Sequence, residues 1–257
     1  MRFCLIKIGY DSSFHGLQYQ PGLRTVMGEI KKLSDKMGIK KIYASSRTDS
    51  FVRASGNLIE AEYEDCQSLC NAINSIKGIY VLEYASSETY IPLRGMFSKE
   101  YLYISRVRPA EEKIRSVISE FLSSDYSKFS KDSARKVYLE NIDFKIFDFG
   151  TILKFRGRSF SWNFVRISSE CILNRSLGKI RDEEWVKIVN GESKCRYKGS
   201  GKNLILYRTI LPFDMIKYSS NKLVDLKIEI IIEFLWLYGM DKHFLIEISE
   251  IANSNFI

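Results

Sequence analysis

Apolar positions along the chain follow two periods in turn. Phe3 to Ile8 is apolar enough for a half-buried strand, and Tyr10 to Gly22 is rich in turn formers. Thr25 can cap a helix whose apolar residues Val26, Ile30, Leu33 and Met37 recur at helical spacing, with Gly38 stopping it. Ile39 to Ser45 reads as a strand, and a polar loop follows from Ser46 to Gly56. Beyond it Ile59, Ala61 and Tyr63 alternate with Glu60, Glu62 and Glu64, which is strand periodicity. Asp65 caps a second helix carrying Cys66, Leu69, Cys70 and Ile73 on one face and closed by Gly78. Ile79 to Ala85 is the next strand. The order strand, helix, strand, strand, helix, strand is that of the split βαβ or ferredoxin-like unit. Two helices then cover one face of a four-stranded antiparallel sheet, and the other face is left free.

The same order recurs without sequence identity between the two runs. Phe97 to Val107 is a strand, and Ile114, Val117, Ile118, Phe121 and Leu122 make an amphipathic helix. Ile142, Phe144 and Ile146 share one side of a strand that can pair with Ile152 to Arg156 across Phe149-Gly150. Phe160 to Leu173 is helical by period, Asp182 to Val189 adds a helix, and Leu204 to Leu211 closes as a strand. The predicted fold class is α+β: two ferredoxin-like (βαββαβ) halves, residues 1–94 and 95–212, joined through a continuous antiparallel sheet with a basic cleft between them. Edge-to-edge joining would hide two edge strands. Residues 213–257 are expected as a mostly helical appendage.

The chain has 257 residues, of which 45% are hydrophobic, so disordered and collagen-like structures are excluded. Its longest apolar stretch, Ile230 to Met240, is interrupted by Glu233 and falls short of the roughly 18 residues a spanning helix needs, so no membrane partner is expected. The N-terminal apolar run breaks at Lys7 with no small-residue cleavage site after it, which argues against a secretory signal. Five cysteines, an odd number without a framework, read as reduced thiols and point to the cytoplasm. Lys and Arg number 39 against 31 Asp and Glu, and a net charge of +8 favours polyanionic partners.

The histidines are only His15 and His243, Cys66-x3-Cys70 has no second pair near it, and no Gly-rich loop has nucleotide-binding spacing. No metal or cofactor is expected, which leaves carboxylates, Tyr, Arg, Lys, Cys and Ser to carry any chemistry. Basic residues cluster as Lys154, Arg156 and Arg158, as Arg47 with Arg53, and as Lys194, Arg196, Lys198 and Lys202. Singly each cluster is ordinary solvated surface; three beside predicted loops suggest a groove that tracks phosphates. Arg47-Thr48-Asp49 alone would be a turn with a capping Asp.

Its company changes that reading. Tyr10-Asp11-Ser12-Ser13-Phe14-His15-Gly16-Leu17-Gln18-Tyr19-Gln20, followed by Thr25-Val26-Met27-Gly28-Glu29, resembles the opening motif of the TruA-type tRNA pseudouridine synthases. Ser46-Arg47-Thr48-Asp49, with Val52, Ala54, Gly56 and Asn57 after it, is similar to that family's catalytic loop. Lys99-Glu100-Tyr101-Leu102-Tyr103 resembles its basic-x-Tyr-x-Tyr strand, and Leu122 with Asp125-Tyr126 and Phe129 resembles the segment after the next helix. Gly157-Arg158-Ser159-Phe160 and Trp162-Asn163-Phe164-Val165-Arg166 are similar to the helix that brings the family's Arg. The likeness runs in order from about residue 3 to 211. The chain departs from the pattern at Ser12, Leu17, Tyr19, Phe51, Arg53, Ser55 and Glu170; Phe51 and Glu170 stand where Gly is usual, and Phe51 matters if the loop needs φ > 0 there.

The resemblance implies isomerisation of uridine to pseudouridine in tRNA, at positions 38 to 40 of the anticodon arm, by a cofactor-free homodimer. It implies Asp49 as the catalytic carboxylate, attacking the base, attacking the sugar or removing a sugar proton. Arg166 would pair with it, and a neighbouring guanidinium favours an ionised carboxylate. Tyr101 would stack on the flipped uracil and take part in proton transfer near C5. Arg47 would hold the nucleotide out of its stack, at a cost of a few kcal/mol that pocket contacts offset. Arg53, Lys154, Arg156 and Arg158 are candidates for the RNA backbone. The competing class is an inactive ferredoxin-like RNA-binding protein, with Tyr101 and Tyr103 displayed for stacking.

Overall fold

The computed structural model describes residues 2–131 and 136–218. β1 (Phe3–Tyr10) turns Cys4, Ile6 and Ile8 into the main core and Leu5 to the opposite face, as alternation requires. α1 (Val26–Lys36) starts where the Thr25 hydroxyl accepts the Gly28 N–H at 3.2 Å, and it buries Val26 and Ile30. β2 (Ile42–Ala44) is short, and β3 (Arg53–Glu62) is long and buried over most of its length. α2 (Cys66–Asn74) is capped by Asp65, whose carboxylate accepts the Ser68 N–H at 3.0 Å, and β4 (Ile79–Ser87) follows.

The next elements are β5 (Lys99–Ser105), α3 (Glu111–Leu122), β6 (Tyr138–Phe147), β7 (Gly150–Ser159), α4 (Phe164–Ser176), α5 (Asp182–Val189), β8 (Leu204–Thr209) and β9 (Ile216–Lys217). The strands form one mixed sheet in the order β6-β7-β5-β8-β3-β1-β4-β9, with β2 on β3. The first run orders its strands β4-β1-β3-β2 and the second β8-β5-β7-β6, the same permutation, with every pairing inside a run antiparallel.

The seam differs from the antiparallel continuation expected: β3 and β8 pair in parallel, Arg53 with Ile205 and Ala54 with Leu206. β2 covers only Ile59 to Ala61 of β3, so the start of that strand keeps open hydrogen-bonding groups, and β8 fills them. Gly56 permits the approach, since a Cβ there would collide with the Arg208 backbone. Thr209 and Ser55 hydroxyls donate across the seam to the Gly56 carbonyl at 2.8 Å and the Tyr207 carbonyl at 2.7 Å.

Four other expectations are corrected. The second sheet face is not free in the first half: Leu5 and Leu58 are covered by Leu93 and Phe97 from the segment after β4, because consecutive apolar positions such as Cys4-Leu5-Ile6 point to both faces and need cover on each. α4 begins at Phe164 rather than Phe160, since Asn163 takes a left-handed φ of 63° that breaks the helix before it. The cysteines are not all thiols: Cys4 is bonded to Cys66, with Cα atoms 5.4 Å apart, and Cys171 to Cys195. Folding brings each pair together across an element boundary that sequence spacing does not reveal, so the cysteine count loses its force as evidence for the cytoplasm. Cys70 stays a buried thiol, pushed up to about 12 by burial and, secondarily, by Asp65.

Ile216 and Lys217 are extended on β4, not helical. The rest of the expected appendage, residues 219–257, lies outside the described residues, and so does His243. No helix among the described residues is long and apolar enough to cross a membrane.

Candidate active site

The loop after β2 is built into place by buried polar groups. The Asn57 amide donates to the Ser46 carbonyl at 2.9 Å and to the Tyr10 hydroxyl at 3.1 Å, while its oxygen accepts the Ser46 N–H at 3.2 Å. Tyr10 in turn shares a 2.9 Å hydrogen bond with the Thr48 hydroxyl. Burial drives the Tyr10 phenol well above its ordinary pKa, so it stays a neutral anchor. A second loop, before α1, clamps the same segment: Leu17 N–H donates to the Thr48 carbonyl at 3.1 Å, and Phe51 N–H to the Phe14 carbonyl at 3.1 Å. Gly16, at φ 89°, lets the two backbones meet, since a Cβ would stand 2.7 Å from the Thr48 oxygen. Phe51 itself sits at φ 67°. The left-handed backbone that the sequence raised as a question is therefore used, by a residue for which it costs about 1–2 kcal/mol.

Asp49 ends up with both oxygens held. Arg166 Nη1 donates to Oδ2 at 2.7 Å, and the Trp162 indole N–H donates to Oδ1 at 3.1 Å. Arg166 is aimed by three acceptors: Asp49, the Asn163 side-chain oxygen at 2.9 Å, and the Gly199 carbonyl, which takes Nε at 2.8 Å. Asn163 therefore serves twice, bending the chain into α4 and orienting the guanidinium three residues on. Glu170, one turn beyond Arg166, accepts the Tyr103 hydroxyl at 2.6 Å and the Asn174 amide at 3.1 Å. This accounts for a carboxylate where the family pattern has Gly.

The pair lies in a cavity of about 1050 Å³, at the upper end of ordinary ligand pockets. Asp49 is the acidic residue of its lining, against Arg47, Arg94, Lys99, Arg158 and Lys198. Tyr101 lines it too, its ring edge-on to Phe160 at 5.2 Å, where the β5–β8 register shifts between Glu100 and Tyr101.

Of the residues singled out in the sequence, Asp49, Arg166, Tyr101, Arg47 and Arg158 thus converge on one cavity. Arg53 does not. It is 1% exposed and donates to the Lys202 carbonyl at 2.9 Å, because β8 covers the start of β3, so it is withdrawn as an RNA contact. Lys154 lies on β7 against Asp143 at 3.5 Å, outside the lining. Arg156 and Arg158 flank Glu140, at 3.1 and 3.3 Å, and Ser98, then Arg158 and Arg156, lower the Glu140 pKa. Trp162 was missed as a site residue, although it stood inside the Arg166 motif. No periodicity singles out a tryptophan that acts from the turn before a helix.

Over 198 residues the chain is 31% identical to the tRNA pseudouridine synthase A of Pyrococcus horikoshii, an alignment covering 73% of this chain and 75% of that one. The chain belongs to the tRNA pseudouridine synthase A family. Members of this family are isomerases that act on tRNA. The pseudouridine synthase A of Picrophilus torridus is 29% identical over 225 residues, 84% of this chain and 86% of its own, and that of Latilactobacillus sakei is 25% identical over 240, 79% and 95%. No protein-family model matches the chain. Among solved structures a Cbf5-Nop10-Gar1 complex aligns with 93% of this chain and 58% of its own at 12% identity and a TM-score of 0.40, too slight a likeness to argue from.

Proposed function

We propose that this member isomerises uridine to pseudouridine in the anticodon stem-loop of tRNA, with Asp49 as the catalytic carboxylate and no cofactor. The observation that carries the reading is the Asp49–Arg166 ion pair, joined across the two halves of the sheet inside a cavity whose other charged lining residues are all cations. The reaction breaks the N1–C1′ bond of uridine, forms C5–C1′ in its place, moves a proton from C5 to N1, and changes no oxidation state. It therefore asks for a positioned carboxylate and an enclosed site, not for a redox partner.

In this reading Tyr101 lies against the uracil, and Arg47 at the exposed mouth holds the extruded nucleotide. The exposed cations Arg94, Arg158 and Lys198 meet phosphates. Arg156 and Lys154 remain backbone candidates outside the lining. The halves 1–94 and 95–212 are taken as ferredoxin-like units flanking a basic cleft, a view supported by the shared strand permutation. Homodimerisation rests on the family resemblance alone, and a cytoplasmic site on the tRNA substrate.

Release of tritium from C5-labelled uridine in a tRNA transcript tests the reading. The wild type should release label, and Asp49→Ala should release none while still binding the transcript. Binding by both without release from either would favour the inactive RNA-binding protein. The intact loop at Phe51 weighs against that alternative, because the backbone the loop needs is kept despite the side chain.

A further inference from the structure

Three exposed large apolar side chains line the cavity among the described residues: Tyr19, Phe51 and Trp162, which are 61%, 40% and 55% exposed. Each carries a lysine ammonium over its ring, Lys31 at 5.7 Å from Tyr19, Lys202 at 5.8 Å from Phe51 and Lys131 at 4.9 Å from Trp162. Similar contacts elsewhere, such as Lys136 over Tyr138 and Lys145 over Phe147, involve rings that do not line it. The three rings come from three separate loops, and burial explains none of them. Phe51 carries left-handed backbone strain while its ring, packed on His15 at 5.6 Å on one side, stays 40% exposed to the cavity.

We infer that Tyr19, Phe51 and Trp162 are stacking stations for unpaired nucleobases flanking the reacting nucleotide, each with a lysine for the adjoining phosphate. The inference rests on the function proposed above and narrows its substrate to RNA whose bases are open at the site. An aromatic face accepts the face of any base, so such stations recognise an unstacked strand without reading its sequence. In a continuous duplex those base faces are covered by their neighbours. Trp162 stands nearest the chemistry, since its indole N–H is on Asp49, so a base on that ring lies beside the extruded uridine.

Tyr19→Ala and Phe51→Gly test this, singly and together; Trp162 is spared because it touches Asp49, and glycine suits the backbone at residue 51. Each single variant should weaken binding to a tRNA transcript about tenfold, and the double variant more. Affinity for a fully paired RNA duplex of equal length should be unchanged, as should the salt dependence of tRNA binding, because Lys31 and Lys202 remain. Tyr19→Phe and Phe51→Tyr should bind tRNA like the wild type. Equal tRNA affinity in wild type and double variant, or equal losses on tRNA and duplex, would overturn the inference. Wild-type tritium release alongside such a result would leave the proposed activity standing. A wild type that neither binds tRNA nor releases label would remove both.

Discussion

Asp49 and Arg166 stand 117 residues apart in the chain and 2.7 Å apart in the fold. Neither side chain is fully buried, at 26% and 13% exposed, so the pair is accessible to a nucleotide yet shielded from bulk water. Its geometry is over-determined: Trp162 holds the second carboxylate oxygen, while Asn163 and Gly199 hold the guanidinium. Such a site is positioned before substrate arrives.

Arg166→Lys should expose that dependence. An ammonium keeps the charge but cannot meet Asp49, Asn163 and the Gly199 carbonyl with a fixed fork of donors. We expect kcat to fall about 100-fold, with KM and the melting temperature little changed. Full activity in the lysine variant would show that charge alone suffices.

At residue 51 the usual ranking of alanine over glycine should invert. Any side chain there bears the left-handed backbone, so Phe51→Gly should be more stable than Phe51→Ala by about 1 kcal/mol in urea unfolding. If alanine proves the more stable, the loop does not hold φ 67° in solution.

Glu60 should make stability depend on pH. It is buried under the segment after β4; one oxygen accepts the Ile91 N–H at 2.7 Å, and the other has no hydrogen-bond partner among the described residues. Burial raises its pKa, partly offset by that N–H. Below the ordinary glutamate range both folded and unfolded states are protonated and nothing is lost. As pH rises the unfolded state ionises first, so stability declines and levels off only above the raised folded pKa. Glu60→Gln should remove this decline, seen as an advantage over wild type that grows as pH rises through and above the ordinary glutamate range. Parallel stability curves for the two proteins would refute it.

Reduction should cost the first half more than its core can ignore. The Cys4–Cys66 bond closes a separation of 62 residues between β1 and α2, which loop-closure entropy values at about 4 kcal/mol. Cys4→Ala should unfold at markedly lower urea concentration than wild type under oxidising conditions, and match it under reducing conditions. Coincident curves under both conditions would mean the bond does not form.

Much of the architecture was legible in the chain because it is local. Thr25 and Asp65 cap the helices they announce, and alternation from Ile59 to Tyr63 marks a strand that forms. Periodicity alone does not mark a helix start: the apolar spacing runs from Phe160 through Asn163, whose left-handed turn, invisible to periodicity, delays α4 to Phe164.

Asp49, Arg166, Tyr101 and Arg47 could be chosen from motif order, since a motif preserves which residues accompany one another along the chain. Hydrophobic period and caps act over a few residues, and the sequence by itself therefore determined the elements, their order and the shortlist of chemical groups. Only the tertiary structure decided that β8 meets β3 in parallel, that Arg53 is buried under that seam, that Trp162 reaches the free oxygen of Asp49, and that four cysteines pair. Each of these depends on the direction and distance between segments far apart in sequence. That information resides in how the two halves pack, and no local pattern encodes it.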